Sequence, residues 1–595
     1  MITFLAPDVP APPLRDGERL VRALPELIAA AYSRRPEHAA ARARVVELNR
    51  EAVQVAQALA VALPDELQEF WEAYAGWFAM YSVGPLLGNM AVARQAIAGL
   101  PPDRAVIVEN WRRRGWWSGR EDLQAAAGEP LAAAGWTLEV HPGAALRALR
   151  RAVATFEAGR QGERELRELC AARLGHAPDA QPGDVLWLSV GASAVDLIAR
   201  LAPVLASQGL TSAILDYDYF GSREALERTG TPHTPLAAFL RPDDLARARG
   251  WRFVTDVDWE HVASSLPPIP DFTPAQQAAL ASRLRLVITR DAPVWRLRAL
   301  ASQRALEAFR PKLVVGFHTY GPVMAPTIIA AQRLGLPRLC LQHGVIGPRY
   351  LALPCLPYDE KLVFGDYARG IMQQTCPELR LTVTGHALHD AGVTPPVPSP
   401  GVMALREGVS GLVVLCTQFN EHLYYRREQW WMAGVAETCR RLGVRLAIKQ
   451  HPSDAPITIN LYRTLLQAGD DRVVLIPHGQ HRLDELLVAC DLMVTRDSTV
   501  VFEANLFDRP VVTINLSDED EELPYAATGG ARGIYRYEDI GSALEAVLGE
   551  ESARREMAAQ RAGFLALHTG PGDGRATERI AAVIAQWAAG RRAPA

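Results

Sequence analysis

The apolar positions of this chain fall into two sets of short strands separated by helical stretches, with a run of prolines between the sets. The first set opens with Val185-Leu186-Trp187-Leu188-Ser189-Val190, closed by Gly191 and followed by helical spacing to Leu205. Further short apolar runs lie at 213–216, 284–288, 313–316, 338–341 and 361–364. Continuous apolar runs without alternation predict strands buried on both faces. Strands that alternate with helices predict βαβ units and a parallel sheet. The second set has runs at 412–415, 446–448, 473–476, 492–495 and 511–514. Between the sets, Pro395-Pro396-Val397-Pro398-Ser399-Pro400 lacks donors and has fixed φ angles. It predicts a semi-rigid linker and a domain boundary.

The expected fold class is therefore α/β: two Rossmann-like domains, 183–394 and 401–560, facing one another across a cleft. A C-terminal segment, 561–595, carries a last helix near 576–587. The front region, 1–182, reads as an N-terminal mainly helical, mixed module. From about residue 14 to 100 the reading is helical: Val45, Val46, Leu48, Val53, Val55 and Leu59 recur at helical intervals, and Pro64 breaks the run. Strands are predicted at 104–108 and 136–140. Residues 73–93 carry no charge, but Gly76, Gly84, Pro85, Gly88 and Asn89 punctuate them. A buried helix pair broken at Gly84-Pro85 is expected there rather than a membrane span.

Composition narrows the function classes. A chain of 595 residues exceeds one hydrophobic core. It is 49% hydrophobic and 22% charged, as soluble globular proteins are. A net charge of -4 gives no global basic field, so nucleic acid is not an expected partner. The seven cysteines are scattered without a C-x-x-C pair, which suggests neither zinc nor a disulfide framework. The N-terminus shows no signal-peptide pattern, and a reduced, cytoplasmic setting is expected.

Candidate chemistry lies where predicted strands end, the place where ligands bind in open parallel sheets. His343, in Leu341-Gln342-His343-Gly344, follows one strand; His318 and Tyr320 follow another. Histidine is the usual general base near neutral pH; a turn histidine bonded to backbone is the plain alternative. In the second set, His451-Pro452 follows the strand ending at 448, and Asp497-Ser498-Thr499 with Glu503 follows 492–495. Hydroxyls and backbone N–H groups there suit a phosphate, and Glu503 suits ribose hydroxyls. An ordinary helix N-cap explains the same residues. His386 and His389 read as interdomain structural residues. The acidic run 517–522 reads as a solvated loop and Gly570-Pro571-Gly572-Asp573-Gly574 as a turn. Trp430-Trp431 reads as packing. Arg112-Arg113-Arg114 with Trp116-Trp117 could touch a membrane surface, with a solvated face as the plain alternative.

The order of these motifs resembles the GT-B glycosyltransferase superfamily. The branch indicated is bacterial capsule and surface-polysaccharide synthesis proteins, with teichoic-acid glycerophosphate polymerases. The resemblance rests on Gln342-His343-Gly344, Val383-Thr384-Gly385, His451-Pro452, Asp497-Ser498-Thr499 through Glu503-Ala504 to Pro510-Val511-Val512, and the closing 573–580 segment. It implies transfer of a sugar from a nucleotide-activated donor to a glycan or lipid-linked acceptor, with no metal and no cofactor beyond the substrate. His451, Pro452, Asp497, Ser498, Thr499 and Glu503 would hold the donor. His343 would act near the acceptor, with His318 next in line. The same resemblance allows transfer of a polyol phosphate from a CDP-linked donor, or a non-catalytic nucleotide-binding scaffold. The last motif is also similar to nucleotide-sugar 2-epimerases. The chain departs from them at Ser498-Thr499, in lacking an acidic residue directly after His343-Gly344, and in its long front region.

Overall fold

The computed structural model describes residues 1–5, 18–23, 31, 33–63, 65–108, 124–141, 160, 164–166, 181–189, 192–217, 226–227, 229–241, 243–244, 272–321, 323–353, 355–393, 395–417, 428–451, 472–477, 479–516, 520–521 and 523–590. Three parallel sheets organise them. The front sheet has four strands, β1 (Ile2–Leu5), β2 (Arg19–Arg22), β3 (Arg104–Val108) and β4 (Thr137–His141), in the order β2-β1-β3-β4. The helical reading from residue 14 onward is thus corrected at 19–22. Strands of four residues are too short for periodicity to separate them from loop or helix.

Behind this sheet lie α1 (Val45–Ala58), α2 (Asp65–Phe78) and α3 (Gly84–Ile97). No break occurs at Gly84-Pro85. A single π-helical turn, Ala79–Val83, joins α2 to α3, and Gly84-Pro85 follows directly after it. Among the described residues no helix is long and apolar enough to cross a membrane.

The second sheet holds seven strands: β5 (Val185–Ser189), β6 (Ser212–Asp216), β7 (His233–Pro235), β8 (Leu313–Gly316), β9 (Arg338–Leu341), β10 (Glu360–Val363) and β11 (Arg380–Val383). The third holds six: β12 (Leu412–Cys416), β13 (Arg445–Lys449), β14 (Val473–Ile476), β15 (Leu492–Thr495), β16 (Val511–Ile514) and β17 (Arg532–Ile534). Their orders are β11-β10-β9-β8-β5-β6-β7 and β14-β13-β12-β15-β16-β17. Each is the doubly wound order in which the chain starts in the middle and reverses direction once. The fold class is α/β with two such sheets, and the proline run carries no strand between them.

The unbroken apolar runs have a direct cause. In β5, Leu186 and Leu188 enter one core while Val185 and Trp187 enter another. In β12, Val413 and Leu415 face one side and Leu412, Val414 and Cys416 the other.

The strand expected at 284–288 is helix. It lies inside a 36-residue helix, Pro274–Phe309, opened by a capping box between Thr273 and Gln276. Leu280, Leu284, Val287, Ile288 and Trp295 bury one helical stripe in the front core, and Val294, Leu297 and Ala301 continue it into the core of the second sheet. This helix ties the front module to that domain. Tyr74 Oη donates to Asp291 Oδ2 (2.5 Å) across the seam.

The chain returns at its end. The helix Glu551–Thr569 leads to Gly570, whose φ is +72° and where a Cβ would come within 2.6 Å of the Phe364 carbonyl oxygen; only glycine fits this crossing. The last helix, Ala576–Ala588, then packs Ile580, Ala581 and Ile584 against Trp187 and Phe317 of the second sheet's domain. Its first turn is held by Asp390, which accepts from Ala576 N (2.9 Å), Thr577 N (2.7 Å) and Thr577 Oγ1 (2.6 Å). Asp390→Ala leaves those amides without their acceptor. It is expected to cost about 2 kcal/mol and to speed hydrogen exchange over 576–580. Unchanged exchange there would mean that the apolar face alone seats the helix.

Cys355 and Cys376 form a disulfide, with Cα atoms 6.7 Å apart. The scattered spacing did not reveal it, and it removes the cysteine argument for a reducing compartment.

Candidate active site

Where strand order reverses, two neighbouring crossovers leave in opposite directions and open a crevice at the carboxyl ends of the strands. In the third sheet this point lies between β12 and β15, and in the second between β5 and β8.

At the third sheet's crevice the strand ends are laced together. Thr495 Oγ1 donates to Cys416 O (3.1 Å), and the His451 amide donates to Thr417 Oγ1 (2.9 Å). The ends of β13, β12 and β15 are thereby held side by side. His451 stands half-buried after β13; Pro452 lies outside the described residues. Asp497, Ser498 and Thr499 follow β15 and lead into a seven-residue helix, Val500–Leu506. Thr499 occupies its N-cap position without a side-chain capping bond, and Ser498 Oγ accepts from Val500 N at a long 3.4 Å. Glu503 Oε2 is buried with no hydrogen-bond partner among the described residues. Burial pushes its carboxyl up to about 7.

The second group of candidates follows strands of the second sheet. His318 follows β8 and His343 follows β9, with ring centroids 4.3 Å apart. His343 Nδ1 donates to the Phe317 carbonyl at 2.7 Å. A carbonyl only accepts, so the proton sits on Nδ1 and the lone pair on Nε2, the tautomer a general base needs. Gln342 secures this loop: its Nε2 donates to Gly344 O and its Oε1 accepts from Phe364 N, both at 2.8 Å. Burial first, then the His343 and Lys361 charges, push His318 down to about 3. Lys361 is itself buried and donates to Thr319 Oγ1 (2.6 Å) and Cys340 Sγ (3.2 Å).

The two edges meet. Val345, two residues beyond His343, packs into the third sheet's core, as does Tyr367. Burial and then the Asp497 charge push the Tyr367 hydroxyl up to about 12. His386 and His389 stack at 4.4 Å, and His389 lies 6.0 Å from Phe502 of the opposite domain, an interdomain contact. Tyr367 and Thr417 carried no sequence signal, since each stands alone between motifs.

The remaining candidates fall elsewhere. Trp431 is core; the Trp430 side chain, Arg112–Arg114 and Trp116–Trp117 lie outside the described residues. The acidic run is not a plain solvated loop. Glu521 is buried and accepts from Thr513 Oγ1 (2.9 Å), and Asp520 pairs with Arg34 of the front module (3.2 Å). Gly570 opens the turn onto the last helix.

No family model matches the chain, and no curated protein matches it. Among solved structures it is similar to a UDP-GlcNAc 2-epimerase from Neisseria meningitidis bound to UDP-GlcNAc (13% identity, 68% of this chain and 99% of that one, TM-score 0.44). It is similar to a glycosyltransferase from Rickettsia africae (11%, 68% and 99%, TM-score 0.44). It is similar also to MurG from Acinetobacter baumannii (14%, 68% and 100%, TM-score 0.40). At such values the likeness assigns no activity, which has to be argued from the residues themselves.

Proposed function

We propose that this chain is a metal-independent glycosyltransferase of GT-B type. It moves a sugar from a nucleotide-activated donor to a surface-glycan acceptor on the cytoplasmic side of the cell envelope. The observation that carries the reading is the pairing of two doubly wound sheets, each with candidate side chains after its strand ends and in contact through Val345, Tyr367 and His389. In this reading His451, Asp497, Ser498 and Thr499 line the donor phosphates, and Glu503 accepts from the ribose hydroxyls. An acceptor hydroxyl attacks the anomeric carbon, and the bond from that carbon to the phosphate oxygen breaks. The nucleotide leaves with the electron pair, and the hydroxyl proton passes to His343 Nε2. Fixed side-chain dipoles stabilise the leaving phosphate in place of a metal.

His451→Ala is expected to weaken UDP binding by about 1.5–3 kcal/mol, the worth of a hydrogen bond to a charged group, and Ser498→Ala by less. Titration calorimetry with UDP measures both. Undiminished affinity in His451→Ala would remove this histidine from the donor site.

One observation favours a second reading, a nucleotide-sugar 2-epimerase. A buried carboxyl held near 7, as in Glu503, suits proton transfer at carbon. Nucleotide release from UDP-GlcNAc, a CMP-sugar and CDP-glycerol, with and without acceptor glycans, separates the possibilities. Acceptor-dependent release of UDP or CMP from a sugar nucleotide supports the transferase. Solvent deuterium entering the sugar without acceptor supports the epimerase. CMP from CDP-glycerol would make it a polyol-phosphate transferase, and binding without turnover across the panel a scaffold.

A further inference from the structure

A cavity of about 570 Å³ lies between the front module and the second sheet's domain, apart from the crevice between the two doubly wound sheets. Its volume is that of a small-molecule site. One wall is a stripe of α1 carrying Asn49, Arg50, Gln54 and Gln57; spacings of one, four and three residues keep them on one side of a helix. The facing wall carries Tyr320 and Gln332, and the Cys355–Cys376 disulfide borders it.

Two features point to a ligand. Asn49 is only 6% exposed, and its Oδ1 has no hydrogen-bond partner among the described residues. A buried amide oxygen without a donor is costly, and Asn49 is one of the residues that line the cavity. Among the described residues the lining contains four side-chain amides, one arginine and no carboxylate. Amides both donate and accept, as sugar hydroxyls do. Without carboxylates the wall does not suit a cation, and one arginine is too little for a nucleotide polyphosphate.

Position adds the reason for such a site. Tyr320 and Gly321 lie in the loop that begins with His318, so the cavity and the histidine pair share one segment after β8. We infer that this cavity binds the acceptor, a hydroxyl-rich oligosaccharide, and delivers its end toward the histidines. The inference rests on the transferase reading. It gives the front module a task that the crevice alone leaves unexplained.

The test uses the full chain on a panel of short neutral and acidic oligosaccharides, beside UDP titration. Wild type is expected to bind at least one oligosaccharide. Asn49→Leu and the rim double variant Gln57→Ala/Gln332→Ala are expected to bind it roughly tenfold more weakly, with UDP affinity unchanged as proof of folding. The rim pair is exposed, so it stays informative if Asn49→Leu fails to fold. No oligosaccharide bound by wild type, or binding untouched by the rim variant, overturns the inference. Cavity-dependent oligosaccharide binding by a chain that never binds a nucleotide would uphold the cavity and overturn the transferase reading.

Discussion

His343→Ala is expected to lower turnover by roughly 10²–10⁴-fold, the usual worth of a general acid–base group, while nucleotide affinity stays nearly unchanged. The reason is placement. His343 belongs to the second sheet, and its Nδ1 is committed to the Phe317 carbonyl, so only Nε2 can take a proton. The candidate donor residues all stand on the third sheet. Single-turnover rates with a cognate donor and acceptor, beside titration calorimetry with UDP, read the two effects separately. If His343→Ala loses UDP affinity as badly as His451→Ala, then His343 is a donor ligand. The base would then have to be His318, whose Nδ1 is buried without a partner among the described residues.

The second large effect is on stability against pH. Among the described residues five imidazoles, His38, His318, His386, His389 and His568, are pushed toward the neutral form by burial. Unfolded, they take up protons below about pH 6.5. Folded, His389 and His568 resist protonation down to about 4 and His318 to about 3. The unfolded chain therefore binds more protons in this window. Each such group gives stability that is present above pH 6.5 and lost on acidification, at about 1.4 kcal/mol per pH unit. Three buried carboxyls oppose them. Burial raises Glu503 to about 7 and Asp291 to about 6, so the folded chain binds these protons first. Burial raises Glu521 in the same direction.

The net expectation is a loss of stability between about pH 6.5 and 4.5, because the neutral imidazoles outnumber the raised carboxyls. Below about pH 4.5 the folded His389 and His568 begin to take up protons as well, so their share of the loss levels off. Urea unfolding across this range measures it, and Glu503→Gln should steepen the upper limb by about 1.4 kcal/mol per unit. Stability that rises between pH 6.5 and 4.5 would mean that the imidazoles are charged in the folded protein.

The alternation of apolar runs was enough to show two parallel α/β sets, because strands buried on both faces must be apolar along most of their length, as β5, β8, β12 and β15 are. The same logic placed His318, His343, His451 and 497–499 after strands, since a strand that ends in apolar residues hands the next positions to the sheet's edge. It failed where local pattern is ambiguous. The 284–288 run is equally a helical stripe, and it lies within a 36-residue helix that buries it in the front core. β1 and β2 are too short to show a period.

Other features depend on contacts distant in sequence, to which local pattern is blind. The ring pairing of His318 with His343 joins residues 25 apart in the chain. Asp390 caps a helix nearly two hundred residues away. The Glu503 carboxyl is lifted by burial that its helix alone does not provide. The cavity at Asn49 exists because a front helix faces a loop of another domain. The sequence determined which residues reach the strand ends and which faces are apolar. Tertiary structure decided which of them meet and which are sealed from water, because desolvation and close approach are properties of the packed chain and not of any segment within it.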